Sequence, residues 1–223
     1  MITVHHLNNS RSQRVLWFLE ELGLEYEIKF YQRDRKTMLA PAELRAIHPL
    51  GKSPVITDNG LTIAESGAII EYLSDTYGNG RFRPEPGTPE SLKLRYWLHY
   101  AEGSAMPLLL LKLVALRIAT LPMPFFARPI ARKISAGLLK QFIDPQLANH
   151  LKFIEGELAP TGWFVGSGLS IADIQMSFPL EAAAARGGMN DRFPGIHGFL
   201  ERIHARPAYQ RALEKGGKYE LAS

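Results

Sequence analysis

The chain has 223 residues, 46% hydrophobic and 22% charged, an ordinary composition for one or two globular domains with a real core. Its formal net charge of +4 suits small anionic ligands in a focused site and is poor support for nucleic-acid binding. With no cysteine, disulfides, thiolate metal ligands and every cysteine-nucleophile mechanism are excluded, so any thiol chemistry must use a thiol brought by the ligand. The N-terminus, Met1-Ile2-Thr3-Val4-His5-His6, lacks a basic stretch followed by an apolar one and does not read as a signal peptide. Met106 to Leu121 is the most apolar stretch, but Lys112 and Arg117 interrupt it and it falls short of the ~20 apolar residues of a membrane span. A cytoplasmic location without stable membrane insertion is expected.

Ile2 to Leu7 alternates as a first strand, and Asn8-Asn9-Ser10-Arg11 is turn chemistry. From about Ser12 the spacing predicts a helix, with Val15, Leu19 and Leu22 on one face and Gly23 closing it. Glu25 to Tyr31 alternates again, with Tyr26, Ile28 and Phe30 on one side. Strand, helix and strand within about 30 residues predict a right-handed βαβ unit with parallel strands. After a short helix from Ala42 to Ile47, His48-Pro49-Leu50-Gly51-Lys52 leads into Ser53-Pro54, where proline must take a strand's first position because it cannot donate to a ladder. Val55 to Thr57 and Leu61 to Ile63 flank Asp58-Asn59-Gly60, a strong hairpin signal because Asn and Gly tolerate φ > 0. Ser66, Ile69, Ile70, Leu73 and Tyr77 then recur at helical spacing until Gly78. Glu65 and Ser66 therefore stand where the free N–H groups of that helix point. A carboxylate, a hydroxyl and bare amides meet in one hairpin, a place that could hold a small zwitterionic peptide.

Residues 79–89 are rich in proline and have little that could pack, so they read as a linker between residues 1–78 and 90–223. Beyond it there is no convincing strand. Helices are expected from Glu90 to about Thr120 with a kink at Pro107, and over Phe125 to Leu158 with interruptions near Pro129 and Pro145. Ser170 to Arg186, Pro194 to His204 and Pro207 to Lys215 follow, with loops at Trp163 to Leu169 and at Met189-Asn190-Asp191-Arg192. An α/β half followed by an all-α half is the expected fold. The helix from Glu90 carries Leu92, Leu94, Tyr96, Trp97, Leu98 and Tyr100 on more than one side, which leaves a stripe for a second copy. Ser170 and Asp173 have the spacing of a capping box rather than of a catalytic pair. The histidines do not pair at the i, i+4 spacing of a helical metal site, and Arg128 to Lys133 lacks the aromatic interleaving of a nucleic-acid patch. Tyr96, His99, Tyr100 and Met106 are candidates for an apolar substrate pocket, with core packing as the alternative.

Four segments carry a family resemblance: Asn8-Asn9-Ser10-Arg11-Ser12-Gln13-Arg14, His48-Pro49-Leu50-Gly51-Lys52-Ser53-Pro54-Val55, Ala64-Glu65-Ser66 and Leu169-Ser170-Ile171-Ala172-Asp173. In this order, on this pattern of elements, the chain resembles the cytosolic glutathione transferases over essentially its whole length. It is nearest the fungal and bacterial Gtt-like members, of serine rather than tyrosine or cysteine type. The resemblance implies a thioredoxin-like βαβαββα domain and a helical domain, glutathione as co-substrate without metal or other cofactor, a small apolar electrophile, and a homodimer. It implies a cis Pro54 that lets Val55 present its backbone to the cysteinyl part of glutathione, Glu65 and Ser66 at the γ-glutamyl end, and Lys52 with His48 at the glycyl carboxylate. The physics agrees at the γ-glutamyl end, where Glu65 can pair with the ammonium while the Ser66 hydroxyl and helix amides take the carboxylate.

A thiol near ~8.5 is only a few per cent ionised at neutral pH, so the chemistry needs a donor to the thiolate. Ser10 stands four residues before Arg14, the spacing of serine-type members. Asn9 is the next candidate, followed by Arg11, Ser12 or no side-chain donor at all, and Arg11 is otherwise an electrostatic helper or a helix-start surface arginine. The implied activity is addition of glutathione to electrophiles or reduction of hydroperoxides. The alternative is a binding module of the same fold without turnover. A thiol exchanger using a protein cysteine is excluded by composition.

Overall fold

The computed structural model describes residues 1–34, 37, 39–185, 189 and 192–221; Arg186, Asn190 and Asp191, included in the helix and loop expected above, lie outside the described residues. The first half runs β1 (Ile2–Leu7), α1 (Ser12–Leu22), β2 (Tyr26–Tyr31), α2 (Ala42–Ile47), β3 (Val55–Asp58), β4 (Leu61–Ala64) and α3 (Ser66–Tyr77), the thioredoxin-like order expected from the sequence. The sheet order is β2-β1-β3-β4. β1 and β2 are parallel in register from Ile2↔Tyr26 to Leu7↔Tyr31, as a βαβ unit requires, and β3 is antiparallel to both β1 and β4. At the hairpin tip Asn59 (φ 48) and Gly60 (φ 82) both take positive φ, the geometry that lets a two-residue turn follow the strands' twist.

α1 buries Val15, Leu16, Trp17, Phe18 and Leu19 completely. These side chains join β1, β3, α3 and the later helices in one continuous core. The other face of the sheet is covered more thinly, by a separate cluster of Leu7, Tyr31, Ala40 and Leu44 under α2. This explains a departure from the alternation: Tyr31 is buried while Phe30 is 59% exposed, because at the end of edge strand β2 it is α2 rather than α1 that lies over the chain.

The second half is α4 (Pro89–Tyr100), α5 (Met106–Ile118), α6 (Arg128–Leu138), α7 (Asp144–Leu158), α8 (Ile171–Ala185), α9 (Pro194–His204) and α10 (Pro207–Gly216). A simple kink at Pro107 is not what forms. The helix widens ahead of the proline into a π-helical stretch, Ala101–Ala105, and α5 resumes with Pro107 in its first turn. A second π stretch, Leu139–Ile143, precedes Pro145 in the same way. The cause is shared: a proline ring collides with the carbonyl four residues earlier and offers it no N–H, and a wider turn relieves both problems.

Asp173, fully buried, accepts from the Phe164 amide at 2.9 Å, the Ser170 amide at 2.7 Å and the Ser170 hydroxyl at 2.6 Å. The capping box is therefore only half reciprocal: the Ser170 hydroxyl donates to the carboxylate instead of accepting from the Asp173 amide. The stronger charged acceptor takes the proton. Burial pushes the Asp173 carboxyl up to about 6 against those hydrogen bonds. Because this group binds its proton more tightly in the folded chain, its contribution to stability is greatest at pH ~4 and falls as pH rises to ~6. In Asp173→Asn that slope disappears; urea midpoints measured across this pH range should converge toward the mutant's as pH rises, and parallel curves would contradict the assignment.

Candidate active site

A cavity of about 730 Å³ opens where the start of α1, the β3–β4 hairpin and α5 meet. Asn9, Ser10, Arg11, His48, Lys52, Pro54, Glu65 and Ser66 all line it. Val55 does not. The Ser53–Pro54 peptide is cis, but Val55 is completely buried and paired between His5 and Ala64, so its backbone belongs to the sheet. The residue that reaches the cavity instead is Ser53, on the other side of the proline. Its hydroxyl donates to the His5 carbonyl at 3.0 Å and accepts from the Leu7 amide at 3.3 Å. Nothing in the hairpin pattern distinguished it from a loop serine.

Ser10 is 4% exposed, and its Oγ lies 2.6 Å from Ser12 Oγ and 3.2 Å from Ser53 Oγ. Asn9 holds a left-handed conformation (φ 49), and its Oδ1 accepts from the Glu220 amide at 3.1 Å. This ties the C-terminal tail to the turn before α1. The tail is anchored behind by Tyr219, whose hydroxyl donates to buried Glu181 at 2.6 Å; burial and that carboxylate raise the phenol's pKa. Sequence spacing gave no sign that residues 219–221 would reach this place.

Arg14 is the least exposed cation here, at 1%. Its Nη1 donates to the Gln175 carbonyl at 2.6 Å, and its Nη2 donates to Ser66 Oγ at 3.0 Å and to Glu102 Oε1 at 2.5 Å. The Gln175 carbonyl is available for a specific reason. In α8 its helical partner would be the N–H of residue 179, which is proline. Burial lowers the Arg14 pKa while Glu102 opposes it. Arg11 Nε stands 3.1 Å from the other Glu102 oxygen, so two guanidinium groups share one carboxylate. Both lie over the Phe178 ring, at 5.3 and 5.4 Å.

Glu65 precedes α3 with φ 72 and ψ 124, a strained setting for a residue with a side chain. It is exposed and makes no ion pair among the described residues, whereas the Ser66 hydroxyl, already accepting from Arg14, keeps its own proton to donate. Lys52 is exposed and His48 half-buried, its Nδ1 without a protein partner. Three cations that the motifs did not indicate, Arg33, Arg45 and Arg117, also line the cavity. Burial and the neighbouring Arg11 lower the Arg33 pKa. Met106, Leu110 and Leu113 on α5 and Phe178 on α8 supply the apolar part of the lining, with Arg117 one turn further along the same α5 face and Arg11 over the Phe178 ring. Of the pocket candidates on the helix from Glu90, only Met106 takes part. Tyr100 is buried against His150, and Tyr96 is 47% exposed away from the cavity.

Among the described residues no group of three or more His, Asp or Glu could hold a metal ion, and no helix is long and apolar enough to cross a membrane. The Arg14–Pro179 relation makes a sharp prediction. Arg14→Met leaves the Gln175 carbonyl without a donor, and Pro179→Ala in the same background returns a helical N–H to it. The second change should recover roughly 1–3 kcal/mol of unfolding free energy in denaturant titrations, although in the wild-type chain it gains little. Equal effects in both backgrounds would mean that the two sites are not coupled.

Residues 1–75 match the glutathione S-transferase N-terminal domain and residues 139–207 the glutathione S-transferase C-terminal domain. The chain is 38% identical to glutathione S-transferase 3 of Schizosaccharomyces pombe, covering 96% of this chain and 88% of that protein. It is 34% identical to glutathione S-transferase 1 of Saccharomyces cerevisiae, with 96% and 95% covered. A glutathione S-transferase crystal structure from Actinobacillus pleuropneumoniae superposes with a TM-score of 0.80 at 36% identity, over 100% of this chain and 96% of that one. The cations lining the cavity, the helix-start hydroxyls and these full-length matches lead to one conclusion: the chain is an enzyme of the glutathione S-transferase family.

Proposed function

We propose that this enzyme binds glutathione along the cations lining the cavity, holds its sulfur as the thiolate beside Ser10, and adds it to an apolar electrophile resting on Met106, Leu110 and Phe178. The observation that carries the reading is the pair of helix starts facing one cavity, α1 with Ser10 and α3 with Glu65 and Ser66. At the α3 start, Glu65 takes the γ-glutamyl ammonium. The Ser66 hydroxyl and the first amides of α3 take the carboxylate. Ser53 and Pro54, rather than Val55, face the cysteinyl backbone. Lys52 and His48, with Arg45 beside them, meet the glycyl carboxylate. No metal or prosthetic group enters the scheme.

The size of the effects favours a hydroxyl donor over the helix field alone. A helix N-terminus contributes about 0.3–1 kcal/mol to a nearby anion, less than one pH unit on a thiol. A hydrogen bond to a charged acceptor contributes about 1.5–3 kcal/mol, or ~1–2 pH units, enough to bring a thiol from ~8.5 to near neutrality. Ser10 is the better donor because it is buried at the start of α1, where a hydrogen bond to an anion counts most, whereas Asn9 is half-buried. The Glu220 amide engages only the Oδ1 of Asn9 and not its Nδ2 donor, so Asn9 is the alternative. Reduction of an organic hydroperoxide would need the same thiolate and rests on the same groups. Ser10→Ala should raise the midpoint for ionisation of bound glutathione, read from the ultraviolet absorbance of the thiolate, by ~1 pH unit or more with little loss of affinity. An unmoved midpoint there, with a shifted one in Asn9→Ala, would transfer the role.

We also propose a homodimer. On α4 Leu94, Trp97 and Leu98 are buried, while Leu92 is 67% and Tyr96 47% exposed, and the neighbouring Phe153 is 41% exposed. A stripe of this kind suits a symmetric interface of ~1,600 Å². Sedimentation equilibrium at micromolar concentration should give twice the 25.0 kDa chain mass; a single-chain mass throughout would contradict it.

A further inference from the structure

Ser10 belongs to a chain of hydroxyls whose direction the scheme above leaves open. Ser53 Oγ is 3.0 Å from the His5 carbonyl oxygen, Ser10 Oγ is 3.2 Å from Ser53 Oγ, Ser12 Oγ is 2.6 Å from Ser10 Oγ, and His6 Nδ1 is 2.9 Å from Ser12 Oγ. Ser10, Ser12 and His6 are all buried. These four contacts have only three hydroxyl protons to share, and the carbonyl at the end can only accept. If all four are hydrogen bonds, Ser53 donates to His5, Ser10 to Ser53 and Ser12 to Ser10. The fourth proton must come from the imidazole. The direction of the whole chain then depends on which nitrogen of His6 carries hydrogen.

We propose that His6 is a positioning residue for thiolate formation: as its Nδ1–H tautomer it donates to Ser12, so that Ser12 donates to Ser10 and the Ser10 proton, not drawn back to Ser12, can turn from Ser53 to the ligand sulfur. The inference rests on the reading of Ser10 as thiolate donor. In the opposite tautomer the bare Nδ1 takes the Ser12 proton, the short Ser12–Ser10 contact takes the Ser10 proton, and Ser10 can then only accept. On ligand binding the Ser10 proton leaves Ser53, its longer and weaker partner at 3.2 Å, which keeps its bonds to the His5 carbonyl and the Leu7 amide. The imidazole does not itself receive the thiol proton. Burial holds His6 down at about 4, with no charged neighbour contributing, and Phe30 packs edge-on against the ring at 5.6 Å. It is therefore neutral at working pH, a fixed donor rather than a proton store. A donor chain of this kind strengthens its last member cooperatively.

Nitrogen NMR of the wild-type protein labelled in histidine, with and without glutathione, reads the tautomer directly. The expected spectrum has protonated Nδ1 and bare Nε2 at His6, and the reverse assignment overturns the proposal whatever any variant does. In parallel, the ionisation midpoint of bound glutathione should rise by about half a pH unit in His6→Phe, roughly threefold less thiolate at a given pH. In the Ser10→Ala background the same change should add nothing. An unmoved midpoint in His6→Phe, or an equal shift with Ser10 absent, overturns the proposal. An unmoved midpoint in Ser10→Ala alone overturns the donor reading beneath it, an outcome separable from the tautomer result.

Discussion

Arg14 carries a full charge where almost no water reaches it, and the partners that make this tolerable come from three separate parts of the chain. It leaves α1, meets Ser66 at the start of α3, Glu102 in the π-helical stretch after α4, and the Gln175 carbonyl in α8. An uncompensated buried charge costs several kcal/mol, so these elements are held to the guanidinium as firmly as it is held to them. The position of Ser66, and hence of the carboxylate end of the ligand site, follows from that cluster. Proline 179 supplies one acceptor by withholding an N–H from its own helix, and the π stretch ahead of Pro107 lies where Glu102 is presented. Two apparent faults in helical geometry thus contribute to the site.

Around this anchor the cavity separates its tasks by polarity. Cations dominate the charged lining, and Glu102 is already committed to Arg11 and Arg14, so the field there favours a carboxylate-rich ligand. Glu65, left without a partner among the described residues, is the exception that such a ligand's ammonium can use. Met106, Leu110, Leu113 and Phe178 give the second substrate apolar surface, bordered by Arg117 on α5 and by Arg11 over the Phe178 ring. In the same cavity the Ser10 hydroxyl is buried enough for a hydrogen bond to a sulfur anion to matter.

Elements with a strong period were legible in the sequence. The alternating strands, the Asn59-Gly60 turn and the amphipathic α1 and α3 follow from local chemistry, and the motifs Ser10 to Arg14 and Glu65-Ser66 marked the two helix starts. What was not legible depends on distant contacts. Val55 and Ser53 both flank Pro54, and only the pairing of β3 with β1 and β4 shows which of them faces the cavity. Prolines 107 and 145 announce a disturbance, but a kink and a π stretch both relieve the same clash, so the sequence does not tell them apart. The tail at Tyr219 and Glu220, and the cations Arg33, Arg45 and Arg117, reach the site through tertiary packing. His6 reads as one more strand residue until its contact with Ser12 is seen.

The central claim is that this site binds glutathione as its thiolate. Calorimetric titration of the wild-type protein with glutathione in buffers of different ionisation enthalpy counts the protons released on binding. Just below the free thiol's pKa, the account predicts release of most of one proton per site, with the released number falling as pH rises through ~8.5. Tight binding with no proton release across that range would mean that the thiol enters the site intact, and would contradict the account.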